Sequence, residues 1–258
     1  MRRAFILATV ALAAAATAGE APLLKCYQPS PCMQQLSIGA EIDHRTHVGL
    51  GLPKGMVRVS ARVRVDKVSP KGINFFALQT NFPGNVWAHG GLQDDTAEDH
   101  VSRNFQVNWC GLVSRGGGSK DYKNADPAHD LDLIQCPDNA PYDWHPGVTY
   151  EYVVERGRRI TFPPGEYGVT PKHAKKYDIG HPREMWEWKL TIRPLTAKGP
   201  DYQAVLYTQA DTINSAMIWH ESGYGSTDAE LHSTWSHFTY RTADDPKTDV
   251  PAKSWGRF

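Results

Sequence analysis

Tryptophan recurs in this chain beside amides, imidazoles and carboxylates. The segments are Asn85-Val86-Trp87-Ala88-His89, Gln106-Val107-Asn108-Trp109, Glu184-Met185-Trp186-Glu187-Trp188, Trp219-His220-Glu221-Ser222-Gly223-Tyr224 and His232-Ser233-Thr234-Trp235-Ser236-His237. Sugars are bound by such a mixture. The C–H face of a pyranose stacks on an aromatic ring, while its hydroxyls need directional partners in the plane of the sugar. Trp87, His89, Asn108, Trp109, Trp219 and Trp235 are therefore the candidate substrate-binding residues. The competing reading makes the tryptophans ordinary core. It is strongest for Trp186 and Trp188, which share a strand face with Leu190 and Ile192.

Hydrolysis of a glycosidic bond needs two carboxyl groups facing each other across it. Glu187 and Glu221, each in a Trp-flanked strand, are the pair to nominate, with Glu184 as an alternative. Elimination from a uronic-acid polymer instead needs a neutralising Arg, Asn or Gln and a Tyr or His to move the proton. His220 and Tyr224 join the catalytic candidates on that ground, beside His89 and Asn108. Against both stands the common fate of such side chains, which is to be solvated surface. The chain has no Gly-x-Ser-x-Gly elbow, no His-Glu-x-x-His and no phosphate loop. No His pair has a metal-ligand spacing and there is no Cys-x-x-Cys, so no zinc or other cofactor is expected. Acidic clusters at Asp94–Asp99 and Asp121–Asp132 could hold a structural calcium, although neither matches the twelve-residue calcium loop.

These residues must be carried by strands. Val57, Val59, Ala61, Val63 and Val65 alternate with Arg58, Ser60, Arg62 and Arg64, the period of two that belongs to a half-buried antiparallel strand. Val148, Tyr150, Tyr152 and Val154 repeat the pattern, and so do Trp186, Trp188, Leu190 and Ile192. Weaker strands are expected at 36–43, 73–81, 86–93, 103–113, 202–209, 213–221 and 235–241. Turn-formers such as Ser69-Pro70-Lys71-Gly72 and His145-Pro146-Gly147 separate them. Only 94–102 and 171–178 suggest short helical turns. About ten strands at this spacing predict an all-β, two-sheet antiparallel β-sandwich, jelly-roll-like, with helical turns confined to loops.

Composition bounds the rest. Of 258 residues, 28 are basic and 28 acidic, a balance that argues against a sequence-independent nucleic-acid binder. Residues 1–18 read as a signal peptide: two arginines, an apolar run from Ala4 to Ala16, and Ala16-Thr17-Ala18 for cleavage. The run is too short for a comfortable span, and no membrane span is expected elsewhere. The product is expected to be secreted or periplasmic. Its four cysteines, Cys26, Cys32, Cys110 and Cys136, then read as disulfides. Four cysteines allow three pairings; local pairing needs the fewest assumptions. A 110–136 bridge would close a loop of about 26 residues, worth roughly 3 kcal/mol. The expected organisation is a signal peptide (1–18), a disulfide-containing N-terminal segment (19–35) and a single sandwich domain (36–258).

The alternating strands, the segment Trp144-His145-Pro146-Gly147-Val148-Thr149-Tyr150-Glu151-Tyr152 and the tryptophan-rich strand 184–194 resemble the concanavalin A-like lectin/glucanase jelly roll in layout, over roughly residues 36–241. The Glu-x-Asp-x-x-Glu signature of its laminarinase-like hydrolases is missing, and so are the Arg-rich strand and Gln-x-His pattern of its alginate lyases. The resemblance implies a concave sheet face on which secreted relatives commonly bind glycans, and it transfers no catalytic role. The reading that follows is a secreted polysaccharide-binding sandwich. Its alternatives are a polysaccharide-degrading enzyme, a glycoside hydrolase or uronate lyase, and a secreted protein-interaction module without glycan binding.

Overall fold

The computed structural model describes residues 45–68, 72–83, 86–95, 105–113, 140–168, 176–223, 232–252 and 255–257. Fifteen strands follow in chain order: β1 (Arg45–Leu50), β2 (Met56–Lys67), β3 (Ile73–Asn81), β4 (Val86–Asp95), β5 (Phe105–Val113), β6 (Ala140–Pro141), β7 (Thr149–Phe162), β8 (Gly165–Gly168), β9 (Lys176–Ile179), β10 (Arg183–Pro194), β11 (Tyr202–Thr208), β12 (Ser215–Gly223), β13 (His232–Thr242), β14 (Val250–Pro251) and β15 (Trp255–Arg257). They form a seven-stranded sheet, β15-β1-β12-β3-β4-β5-β6, and a six-stranded sheet, β11-β10-β7-β2-β13-β14. Every pairing is antiparallel, and β8 and β9 form a separate hairpin. No α-helix occurs among the described residues. The expected two-sheet sandwich is therefore the observed one.

Alternation decides which side chains meet between the sheets. Val59, Ala61, Val63 and Val65 of β2, Tyr150, Tyr152 and Val154 of β7, and Trp188, Leu190 and Ile192 of β10 point inward from the six-stranded sheet. Phe76 and Leu78 of β3, Ala88 and Leu92 of β4, and Ala216 and Ile218 of β12 meet them from the other side. Each fully buried aliphatic or aromatic side chain in this layer contributes about 1.5–3 kcal/mol before entropy is counted. In β13 the inward set begins at Ser233 and Trp235 and continues at Phe238 and Tyr240. The register against β2 shifts between Ser236 and Thr239, and His237 there holds a left-handed φ of 53°. This bulge, with its extra residue, switches the parity of the strand.

Two local expectations need correction. Residues 176–178, expected in a helical turn, lie in β9 and pair with β8. Asp94 and Asp95, expected at the start of another, belong to β4 opposite Asn74 and Ile73. In both places a short polar stretch suggested a helical turn, while pairing with the preceding strand makes it extended. The expected strand 36–43, the leader and the segment 19–35 lie outside the described residues. Strand β7 is longer than its periodic core, because Arg156–Phe162 pair with Arg183–Trp188.

The Trp144-to-Gly147 turn is built as one unit. Trp144 is fully buried against the edge of Phe76, and its indole N–H donates to the Gln93 carbonyl at 2.9 Å. Gly147, at φ 82°, takes the left-handed conformation, and its N–H donates to Val65 O at 2.7 Å. The turn thereby ties the entry of β7 to β2 and to β4.

Candidate functional site

The side of the seven-stranded sheet that faces away from the core gathers most of the candidate chemistry. Register places its residues in cross-strand rows. Glu221, Phe75 and Gln93 form one row; Trp219, Ala77 and Gly91 the next; Met217, Gln79 and His89 a third; Ser215, Asn81 and Trp87 a fourth. Their neighbours one residue along, such as Phe76, Leu92 and Ile218, are core, so alternation itself puts these rows on the outer face.

An aromatic cluster runs diagonally across that face. The Trp87 and His89 rings lie 5.0 Å apart with a 37° tilt. His89 meets Phe75 at 5.2 Å and Trp219 at 5.4 Å, both edge-on, and Phe75 meets Trp219 at 5.1 Å and 88°. Edge-to-face contacts of this kind each add about 0.5–1.5 kcal/mol beyond area burial. Phe75 and Trp219 are buried, at 5 % and 4 % exposure, whereas Trp87 and His89 remain half-buried. The first pair forms the base of the cluster and the second its accessible part.

Amides stand beside the accessible rings. Gln79 is opposite His89 and Asn81 opposite Trp87. Gln79 Nε2 donates to Asn81 Oδ1 at 2.9 Å, and Asn81 Nδ2 donates to Ser215 Oγ at 3.0 Å. This chain fixes the orientation of both amides on the face. Glu221 sits half-buried at the other end of the face, across Phe75 from Gln93. A polar ladder flush against two stackable rings can hold a flat, hydroxylated ligand.

A side chain from the opposite sheet bonds the backbone beneath this face. Phe76 and Leu92 are register partners, and Leu92 N–H donates to the Tyr152 hydroxyl at 2.9 Å. That hydroxyl donates to Phe76 O at 3.1 Å. At the adjacent Gly91 a Cβ would stand 1.8 Å from Phe76 O, so no other residue fits without moving the strand. Tyr152 is fully buried in the opposite sheet; burial holds its hydroxyl well above the ordinary phenol range and hence neutral.

The sequence candidates separate across the molecule. Trp87, His89, Trp219 and Glu221 come together on the one face just described. Asn108 stands opposite Gly91, Trp109 opposite Gly90 and Cys110 opposite His89 on the adjoining β5. Trp235 is corrected: it is fully buried, faces the core from β13 opposite Val63, and bonds Ser233 Oγ through its indole at 2.9 Å. It offers a ligand no surface. His220 is likewise inward, fully buried and edge-on to Phe76 at 6.2 Å, one residue out of phase with Trp219 and Glu221. Glu187 belongs to the outer side of the six-stranded sheet, opposite Tyr207 and 3.5 Å from Arg158 Nε. It cannot face Glu221 across a bond, because the whole sandwich lies between them. Glu184 is occupied by Arg159 at 3.1 Å and by the Thr161 hydroxyl. Trp188 is core and Trp186 packs at its margin under Arg156, 4.5 Å from the guanidinium. Tyr224, Cys26, Cys32, Cys136 and the acidic stretches 96–99 and 121–132 lie outside the described residues. Among the described residues no group of three or more His, Cys, Asp or Glu could hold a metal ion.

Sequence reasoning missed Phe75, Gln79, Asn81, Gly91 and Gln93. Both faces of β3 carry apolar residues, Phe75 and Ala77 on one and Phe76 and Leu78 on the other. Alternation alone could not say which face was core. The usable signal was the run Gln79-Thr80-Asn81, which places two amides on one face.

No family model and no curated protein matches this chain. Two solved structures are similar in outline. Scytalido-glutamic peptidase, solved with a peptide-based transition-state analog, aligns over 83 % of this chain and 97 % of its own at 8 % identity, with a TM-score of 0.40. The marine PL-14 alginate lyase from Aplysia kurodai aligns over 80 % of this chain and 72 % of its own, also at 8 % identity, with a TM-score of 0.35. Neither likeness assigns an activity.

Proposed function

We propose that this chain is an exported protein that binds carbohydrate, a polysaccharide, on the outer face of its seven-stranded sheet. The observation that carries the reading is the quartet of Trp87, His89, Gln79 and Asn81: two half-exposed rings standing in register with two oriented amides. Stacking and in-plane hydrogen bonding are the two demands a sugar ring makes, and they are met on neighbouring strands. The two rings stand in neighbouring cross-strand rows with centroids 5.0 Å apart, an extended surface that suits consecutive sugars of a polymer better than one isolated ring. Export rests on the leader-like pattern of residues 1–18 and on the disulfide reading of the cysteines. The concanavalin A-like layout supports a sheet face as the binding surface.

The test is retention of the protein on insoluble polysaccharides. Trp87→Ala and Asn81→Ala are expected to weaken retention about tenfold each, with folding unchanged. Undiminished retention in both variants would remove this face from the account.

Glu221 supports a second reading, an enzyme that cleaves the bound polymer. It is the half-buried carboxylate on the same face, in one row with Phe75 and Gln93. Turnover that Glu221→Gln abolishes while binding persists would select it.

A further inference from the structure

The proposed binding face belongs to one sheet, but a hydroxyl that bonds its backbone comes from the other. Tyr152 sits near the start of β7, its ring edge-on to Trp235 at 5.7 Å and fully buried. Its hydroxyl reaches across the core, accepts from Leu92 N–H and donates to Phe76 O. Those two groups belong to residues that are register partners on neighbouring strands. This contact lies between the Glu221–Phe75–Gln93 row and the Trp219–Ala77–Gly91 row, directly beneath the proposed site. Two further features fall at the same point. Gly91 presses its Cα side against Phe76 O so closely that only glycine fits. Trp144, from the turn before β7, bonds the next carbonyl at Gln93. Three consecutive residues of β4 are thus set by contacts other than simple strand pairing.

We propose that Tyr152 is a positioning residue for this face: its hydroxyl, bonded to both β3 and β4, sets the relation of Trp87 and His89 to Phe75 and Trp219. The inference rests on the carbohydrate-binding reading only for the use made of the face; the positioning itself is independent of any ligand. Without the hydroxyl, the buried Leu92 N–H and Phe76 O lose a shared partner, and the β4 backbone around Gly91 must readjust against β3 to satisfy them. The Trp87–His89 pair, one and two rows further along β4, moves with it relative to the β3 and β12 rings. A residue that touches no ligand would then alter affinity.

Tyr152→Phe keeps the ring and its Trp235 contact, so the variant folds. Two measurements read it. The first is ligand-free: indole and amide N–H resonances of the wild type and variant. The account expects the Gly91–Gln93 amides and the Trp87 and Trp219 indoles to shift, with the Trp188 indole unmoved as an internal control. A packing role alone would shift the neighbouring Trp235 indole and leave Trp87 and Trp219 in place, and that result overturns the proposal. The second is titration with cellohexaose, laminarihexaose and a hexauronate from alginate. Binding of whichever the wild type takes is expected to fall about fivefold to tenfold in the variant, the loss matching one hydrogen bond of geometry. Equal affinity in the two proteins also overturns it. If the indoles shift but the wild type takes none of the probes or insoluble polymers, the carbohydrate reading fails while the positioning of the face stands.

Discussion

At the scale of single residues, burial separates tryptophans that resemble each other in sequence. Trp87 is half-exposed beside Asn81, whereas Trp235 is enclosed and hydrogen-bonded to Ser233. Trp87→Ala should therefore cost little stability and much retention. Trp235→Ala should cost about 3–5 kcal/mol of stability, read by denaturant titration, because it empties a core volume. Gly91 is a different kind of constraint. Gly91→Ala introduces a methyl 1.8 Å from the Phe76 carbonyl, and the strand must shift to admit it. The expected loss is about 2–3 kcal/mol, accompanied by weakened glycan retention. A stable, fully retained Gly91→Ala protein would contradict the described backbone at that point.

At the scale of elements, strict alternation was legible and mixed faces were not. Val57–Val65 gave a strand, its inward face and its charged outward face from sequence alone, and the charged face is an ion-pair ladder. Arg58 meets Asp249 at 2.5 Å and Glu155 at 4.0 Å, Lys189 reaches Glu155 at 3.0 Å, and Arg241 bonds Asp249 at 2.9 Å. Strand β13 was less legible, since the bulge at His237 moves the inward set from Trp235 to Phe238. Glu187 and Glu221 looked equivalent because each lies in a Trp-flanked strand; sheet membership, which separates them, depends on pairings with β11 and β3 that no local pattern reveals. The ladder also carries a pH prediction. Hydrogen bonding from Arg241, with Arg58 nearby, holds the Asp249 carboxyl below the ordinary carboxylate range. A depressed folded-state pKa stabilises the protein above the unfolded value of about 3.9 and is lost as pH falls through the folded one. Asp249 is partly exposed, so the contribution is a few tenths of a kcal/mol. The difference in melting temperature between pH 7 and strongly acidic buffer should be smaller in Asp249→Asn than in the wild type.

At the scale of the whole molecule, one core joins two sheets with different outer faces: an ion-pair lattice on the six-stranded sheet and an aromatic and amide surface on the other. Closure of the sandwich leaves its tyrosines sensitive to alkali. Burial pushes Tyr142 and Tyr202, whose rings are 5.8 Å apart, up to about 12. A raised folded-state pKa stabilises the fold below the unfolded value of about 10 and loses that contribution between about pH 10 and pH 12. Melting temperature should fall across that window, and phenolate absorbance should lag behind free tyrosine until the protein unfolds. The central claim is reached most directly by mixing the protein with a panel of insoluble and gelled polysaccharides, measuring its depletion, and weighing any released oligosaccharides by mass spectrometry. The account predicts depletion by at least one polymer, without products, and its loss in Trp87→Ala. Depletion by no polymer would contradict it.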